Sequence, residues 1–389
     1  MSATLPLTLT APSTPRPAIL DQTPDQLRAW LADRGQPPMR VKQIRRWILH
    51  ARATNFEQMS DLPKKLRAEL AESFSVFGIQ IEKHLAARDD THKLLVRLAD
   101  GPMVECVLIQ DDGRATACVS TQVGCGMGCV FCASGLNGMV RNLTVGEIVE
   151  QLVLLRNLTV EPDGQPQYGV TGQLATRLTH IVVMGMGEPL ANLDNLLSAL
   201  LVAGAKDGLD IGARHITIST VGLPAKIRQL AETGKQYHLA VSLHAPNDAL
   251  RTEIVPTNNK TGIPAILAAS DEFYAKTGRQ VTFEYVVLGQ LNDQLVHARQ
   301  LVTLLKGRKA HVNLIPWNDV EGLTYRRPRD EDLNAFIDEL RNNGISVKVR
   351  KRKGSEIDAA CGQLRRQAEA DAVKQAATPE PSVTLPTAP

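Results

Sequence analysis

Cys125, Cys129 and Cys132 fall within eight residues, in the stretch VGCGMGCVFCASG, in a chain of 389 residues that has six cysteines in all. Thiolates are soft metal ligands, and three of them leave one corner of a four-ligand site open. A disulfide framework does not fit, because such frameworks serve small secreted domains without a sufficient core, and this chain can bury a large one. The other cysteines, Cys106, Cys118 and Cys361, are scattered without a paired rhythm, as in a reducing compartment. On spacing alone two metal readings stand. Zinc would use three thiolates plus water or a fourth protein ligand. An iron-sulfur cluster would leave one iron free to bind a small molecule, a reading helped by Phe131 just before the last cysteine.

The elements that must hold such a centre follow a simple pattern. From Ala115 onward, TACVST, THIVVMGM, HITIST, HLAVSLH, VTFEYVVL and HVNLIPW read as strands, each followed by a stretch of helical periodicity. Continuous apolar strands separated by helices mean parallel strands buried on both faces. No G-x-G-x-x-G fingerprint follows the first strand, so a full or partial β/α barrel fits better than an open dinucleotide-binding sheet. In a barrel, reactive residues sit at the C-terminal ends of the strands. The three cysteines follow the first strand, where that rule puts chemistry.

Upstream, DQTPDQLRAWLADRG, MRVKQIRRWILHAR and LPKKLRAELAESF carry helix caps and helical apolar spacing, and HKLLVRLADGPMVECVLI reads as two strands about a turn. The expected organisation is a tail over 1–17, a helical module over 18–90, the barrel over 91–366, and a tail over 367–389. Both tails are rich in Ala, Pro and Thr and read as disordered. With 43% hydrophobic and 22% charged residues, the composition is that of an ordinary globular protein. No apolar run approaches the roughly 18 residues of a membrane span, and the N-terminus makes a poor signal peptide, so a cytoplasmic location is expected. The net charge of +3 is small, but its basic residues cluster. Arg40, Lys42, Arg45 and Arg46 lie in one helix, and SVKVRKRK (346–353) alternates valines with basic residues, a strand with one buried and one basic face. Together they point to nucleic acid.

The spacing C-x-x-x-C-x-F-C resembles the radical S-adenosylmethionine signature, and GMGEPL (185–190) resembles the Gly-Glu-Pro motif of that superfamily. RNLTVGEI, ISTVG, VSLHAP, NLIPWN and GSEIDAACGQL resemble the RlmN and Cfr group of RNA adenine methyltransferases, over roughly 95–366. The resemblance implies a partial (β/α)6 TIM-type barrel, the radical S-adenosylmethionine core, with a small N-terminal helical accessory domain. It implies a [4Fe-4S] cluster on Cys125, Cys129 and Cys132, and S-adenosylmethionine against Gly187, Glu188, Ser219, Ser242, Leu243, His244 and Asn318. Taken singly, Ser219 and Ser242 read as strand-end hydroxyls and His244 as a loop histidine; their order along one barrel gives them their weight.

An adenine carbon between two nitrogens is electrophilic and cannot attack a methyl sulfonium, so a radical route is needed. The resemblance implies two S-adenosylmethionine molecules per turnover. The first methylates Cys361; the second, reduced by the cluster, yields a deoxyadenosyl radical that removes hydrogen from that methyl group. The carbon radical adds to the base, Glu105 accepts the ring proton, and Cys118 attacks the sulfur of Cys361 to release the product as a disulfide forms. Taken singly, Cys118 reads as a buried core cysteine, Glu105 as an exposed strand carboxylate, and Cys106 as a core strand cysteine.

The implied partners are 23S rRNA in its peptidyl-transferase region, the tRNA adenosine beside the anticodon and an external electron donor or reductant, with the enzyme a monomer that binds no membrane. Methylation at carbon 2 is the leading expectation. A Cfr-like enzyme acting on carbon 8 of the same ribosomal base shares the motif residues. A zinc-stabilised RNA-binding protein without catalysis would account for the three cysteines and the basic patches, yet leaves Gly187-Glu188-Pro189 and Cys361 unexplained.

Overall fold

The computed structural model describes residues 16–111, 113–136, 138–159, 175, 177–318, 323–350, 364, 365 and 368. Three helices come first: α1 (Pro24–Ala32), α2 (Arg40–Leu49) and α3 (Lys64–Ser73). Thr23 opens α1 with a reciprocal capping box to Gln26, and Pro24 occupies the first turn. Strands β1 (Gln80–Ala86), β2 (Thr91–Arg97), β3 (Met103–Asp111) and β4 (Arg114–Cys118) follow as an antiparallel meander. A two-stranded ribbon, β5 (Gln122–Gly124) with β6 (Met139–Asn142), frames the cysteine loop and leads into α4 (Val145–Asn157).

The alternating part runs β7 (His180–Val183), α5 (Leu193–Gly204), β8 (Ile216–Thr220), α6 (Pro224–Glu232), β9 (His238–Ser242), α7 (Asp248–Ile254), α8 (Ile263–Thr277), β10 (Val281–Val287), α9 (Leu295–Leu305), β11 (Ala310–Pro316), α10 (Asp330–Asn342) and β12 (Ser346–Val349). The ten-stranded sheet has the order β1-β2-β3-β4-β7-β8-β9-β10-β11-β12, and every pairing from β4 to β12 is parallel. Its edges, β1 and β12, do not meet, so the barrel is partial. All six expected barrel strands are present. SVKV adds a seventh parallel strand, and β1 was not expected: its QIEKHLA is exposed along most of its length, as suits a charged edge strand without an apolar pattern to read.

The expectation that both sheet faces are apolar is corrected. Ile181, Ile218, Leu239, Val241, Phe283, Tyr285 and Leu314 point outward into the main core under the helices. Their neighbours point the other way, and one row across four strands reads Ser242, Glu284, Asn313, Lys348. The inner face thus carries polar and charged side chains where a packed interior would be apolar.

The helical module is fastened to α4 by an exchange of arginines. Arg156 donates to the carbonyls of Ile48 and Leu49 at 2.9 and 2.7 Å, while Arg52 donates to those of Arg156, Asn157 and Thr159 at 3.2–3.4 Å. Arg156 thus satisfies open carbonyls at the end of α2, and Arg52, three residues past α2, those at and just past the end of α4. Glu150 adds a buried carboxylate oxygen that accepts the amides of Gly78 and Ile79 at 2.8 and 2.9 Å. Among the described residues, no helix is long and apolar enough to cross a membrane.

Candidate active site

The cysteine loop is pinned at both ends. Gly124 takes a φ of +76°, and a Cβ there would collide with the Gly138 carbonyl, which accepts the amide of Cys125 at 2.9 Å. Within the loop the Cys132 amide donates to Cys129 O at 3.1 Å, and the Val130 amide reaches Ile254 at the end of α7, also at 3.1 Å. Phe131 packs edge-on to His244, and its carbonyl accepts the Trp317 indole at 3.4 Å. The loop therefore rests on the C-terminal ends of β9 and β11, over an apolar floor that includes Val221, Ile254, Val286 and Trp317.

All three thiols are half-buried and mutually coupled. Burial pushes Cys125 up to about 11, helped by Cys132 and Glu188 and opposed by a hydrogen bond from the Met127 backbone. Burial also raises Cys129, with Cys132 and Cys125 adding to it and Arg251 opposing. Thiols that burial keeps from ionising, as at Cys125 and Cys129, suit a highly charged iron core, since thiolate is the ligating form and the metal supplies the missing positive charge. Among the described residues no three His, Cys, Asp or Glu side chains could hold a single metal ion. A cubane asks less closeness of them, because each thiolate binds a different iron.

Glu188 lies at the next strand end. Its carboxylate accepts the Leu190 amide at 3.0 Å and the Val221 amide at 2.7 Å, and its own amide donates to Gln122 Oε1 at 2.8 Å. Burial raises its pKa, against the hydrogen bonds from Val221, Thr220 and Leu190. A buried carboxylate so placed suits a cationic ligand group. Gly187 has a φ of +102°, and a Cβ there would meet Gln122 at 2.6 Å, so only glycine allows the close approach.

The remaining expected ligand residues share this rim. Ser219 and Ser242 are half-buried on the inner face. His244 has a φ of +58° and takes the Val286 amide on Nδ1 at 3.1 Å. Burial, then Arg251, lowers its pKa to about 3, so the ring is neutral. Asn318 accepts from Arg327 at 3.3 Å. Leu243 differs from the rest: its side chain belongs to the main core, its amide donates to Glu284 O at 3.0 Å, and its carbonyl accepts Arg251 Nε at 3.0 Å.

Arg251 was not singled out by sequence. It is 1% exposed, and besides Leu243 it donates to the carbonyls of Val221 and Ser242 at 2.5 and 2.9 Å and to Asn258 Oδ1 at 2.6 Å. One guanidinium thus ties the ends of β8 and β9 together. Burial lowers its pKa to about 10. Glu284 and Lys93 were also passed over. The available signal was a charged residue inside an apolar strand, in VTFEYVV and HKLLV, which is the informative exception to burial rules.

Glu105 and Cys118 share the inner face of the meander. Val107 pairs with Cys118 on one side and Lys93 on the other, and Glu105 lies two residues before Val107. The expectation of an exposed Glu105 is corrected, because the residue is 2% exposed. Its Oε2 lies 2.9 Å from Lys93 Nζ, and its Oε1 accepts the Arg365 amide at 2.7 Å. Cys118 is buried, as read. Cys106 points the opposite way into the main core at 1% exposure, and burial raises its thiol far above the usual range. Cys361 lies outside the described residues, as do 351–353 of the basic strand and most of the two expected tails.

The basic helix is less free than its sequence suggests. Arg40 donates to Asp61 O at 3.1 Å, and Arg46 pairs with the Asp61 carboxylate, also at 3.1 Å. Arg45 is half-buried, with its pKa lowered by burial and raised by Asp207. Lys42 is exposed.

Residues 18–76 match the family described as Ribosomal RNA large subunit methyltransferase N-terminal domain. The chain is 54% identical over 348 residues, 90% of either sequence, to a Rhodopirellula baltica protein named "Probable dual-specificity RNA methyltransferase RlmN". A Bacillus subtilis protein of the same name is 41% identical over 359 residues, 92% of this chain and 95% of that one. The crystal structure of a radical SAM methyltransferase from Sphaerobacter thermophilus superposes with a TM-score of 0.83 at 41% identity, covering 89% of this chain and 98% of the other.

Proposed function

Since the chain belongs to the RlmN family of radical S-adenosylmethionine RNA methyltransferases, we propose that it methylates carbon 2 of adenosine, using Cys361 as methyl carrier and Cys118 as the resolving thiol. The observation that carries this reading is the shared face of Glu105 and Cys118, with the Arg365 amide, four residues past Cys361, hydrogen-bonded to Glu105 at 2.7 Å. The proposed RNAs are the peptidyl-transferase region of 23S rRNA and the tRNA adenosine beside the anticodon. Two RNA classes agree with the dual specificity in the relatives' names. The enzyme acts as a cytoplasmic monomer, with 18–90 as accessory RNA-binding domain and 91–366 as barrel and catalytic loop.

A [4Fe-4S] cluster on Cys125, Cys129 and Cys132 would supply the electron that cleaves S-adenosylmethionine. The protein's own groups do the rest. Glu188 takes the methionyl ammonium, while Gly187, Ser219, Ser242, His244, Asn318 and the backbone of Leu243 shape the ligand's rim. Cys361 gains its methyl group by displacement from one S-adenosylmethionine, which leaves as S-adenosylhomocysteine. Glu105 takes the proton from the ring carbon once that carbon is bonded to the Cys361 methylene. The Cys118 thiolate then attacks the sulfur of Cys361, the carbon-sulfur bond breaks and the freed carbon takes a proton; the unpaired electron left by the radical addition would pass back to the oxidised cluster, and an external reductant restores both thiols. The adenine must leave its stack to reach the rim, so a loop or flipped base is the form presented.

Anaerobic turnover on both RNAs, followed by nuclease digestion and chromatography against standards with mass detection, tests the proposal. The expected product is 2-methyladenosine; 8-methyladenosine would place the chain with the Cfr type, and unmodified adenosine in both RNAs would sink the substrate assignment.

A further inference from the structure

Lys93 occupies the middle of β2 with 0% exposure, where an ammonium is costly unless paired and hydrogen-bonded. Its partner is Glu105, 2.9 Å away and itself almost fully buried. The second Glu105 oxygen accepts the Arg365 amide across 260 positions of sequence. Leu364, beside that amide, packs on Leu95 and Met103, the residues flanking the ion pair on the same face. A lysine, a carboxylate and a returning backbone amide thus form one chain of contacts, ending four residues beyond Cys361 and on the face that holds Cys118.

We propose that Lys93 is a positioning residue of the methyl transfer: its ion pair holds the Glu105 carboxylate on the Arg365 amide, and so sets the proton-accepting group against the chain that carries the methyl on Cys361. This rests on the assignment of Glu105 as the base. In the step served, the ring C–H bond breaks, the proton passes to a Glu105 oxygen, and the electron pair stays in the ring. Each carboxylate oxygen has two lone-pair sites, so an oxygen already hydrogen-bonded still accepts that proton.

The test uses Lys93→Met, which keeps the length of the side chain and removes its charge, in cluster-loaded full-length protein. Two things are measured: hydrogen exchange of the Arg365 amide without RNA, and decay of the covalent protein-RNA adduct with adenosine protiated or deuterated at carbon 2. Exchange should be at least about tenfold faster than in the unaltered protein, and the adduct should accumulate with a larger deuterium isotope effect on its decay. Lys93→Gln keeps a hydrogen-bond donor for the carboxylate and spares the fold; it should show the same changes at about threefold. Unaltered exchange and decay in these variants overturn the proposal. Glu105→Gln separates the two claims. Normal decay there sinks the base assignment, whereas a stall there, with Lys93→Met behaving as the unaltered protein, leaves the base standing and removes Lys93.

Discussion

Phe131 meets His244 edge to face, with ring centroids 4.9 Å apart and planes at 81°. The contact joins the cysteine loop to the residues just past the end of β9. An aromatic pair of this kind contributes about 0.5–1.5 kcal/mol beyond its buried area. Protein purified without oxygen should be brown, with iron and sulfide in equal amounts, and Phe131→Ala should lose iron to a chelator several times faster. Stoichiometric zinc in colourless protein would defeat the cluster.

Cys361→Ala and Cys118→Ala should fail differently although both remove a thiol. Without the carrier, neither methylated protein nor RNA adduct forms. Without the resolving thiol, Cys361 is still methylated and the base still joined to it, so the reaction halts at a methylene-bridged adduct. A gel should show a nuclease-sensitive upward shift for Cys118→Ala that added reductant does not reverse. Normal turnover of that variant would return Cys118 to the role of a core residue.

Arg251→Met should cost stability and ligand affinity together. The substitution removes the guanidinium donor from the carbonyls of Val221, Ser242 and Leu243, the last still held by the Ala245 amide, and from Asn258 Oδ1, and an unsatisfied buried group costs about 1–3 kcal/mol. Partial relaxation brings the expected loss to about 3 kcal/mol. Denaturant unfolding reads the stability, and calorimetric titration with S-adenosylmethionine reads the affinity. Full affinity in a folded variant would mean that the guanidinium does not organise the rim.

The basic helix should bind RNA unevenly. Arg40 and Arg46 are engaged with Asp61, whereas Lys42 is exposed. Lys42→Ala should therefore flatten the salt dependence of RNA binding by about 0.7–0.9 in log-log slope, and Arg46→Ala by less. Equal slopes for both variants and the unaltered protein would make the helix a solvated face.

Glu150 predicts a pH dependence of stability. Burial, opposed by the Gly78 and Ile79 amides and reinforced by Asp21 and Glu147, pushes its carboxyl up to about 8. The folded state thus holds a proton that the unfolded chain releases in the ordinary carboxylate range. Its stabilisation is full below that range and is lost as pH rises toward 8, by up to about 1.4 kcal/mol per unit. Glu150→Gln should flatten the stability profile between pH 5 and 8. An equally steep profile in the variant would assign the slope to other groups.

Local spacing was enough to mark the three cysteines, the capped α1 and the six barrel strands, because each is written within a dozen residues by period, cap or ligand geometry, whereas Gly187-Glu188-Pro189 was marked by family resemblance. The polar row Ser242-Glu284-Asn313-Lys348 was not legible, since register across four strands is a product of the assembled sheet. Nor could sequence tell that Asp61 engages Arg40 and Arg46, that Leu243 turns its side chain into the core, or that Arg251 ties β8 to β9. Glu105 is the sharpest case. The family resemblance suggested a role for it, but its burial, its pairing with Lys93 and its bond to the Arg365 amide arise because folding brings residues 260 positions apart onto one face, where desolvation makes each partner necessary to the others.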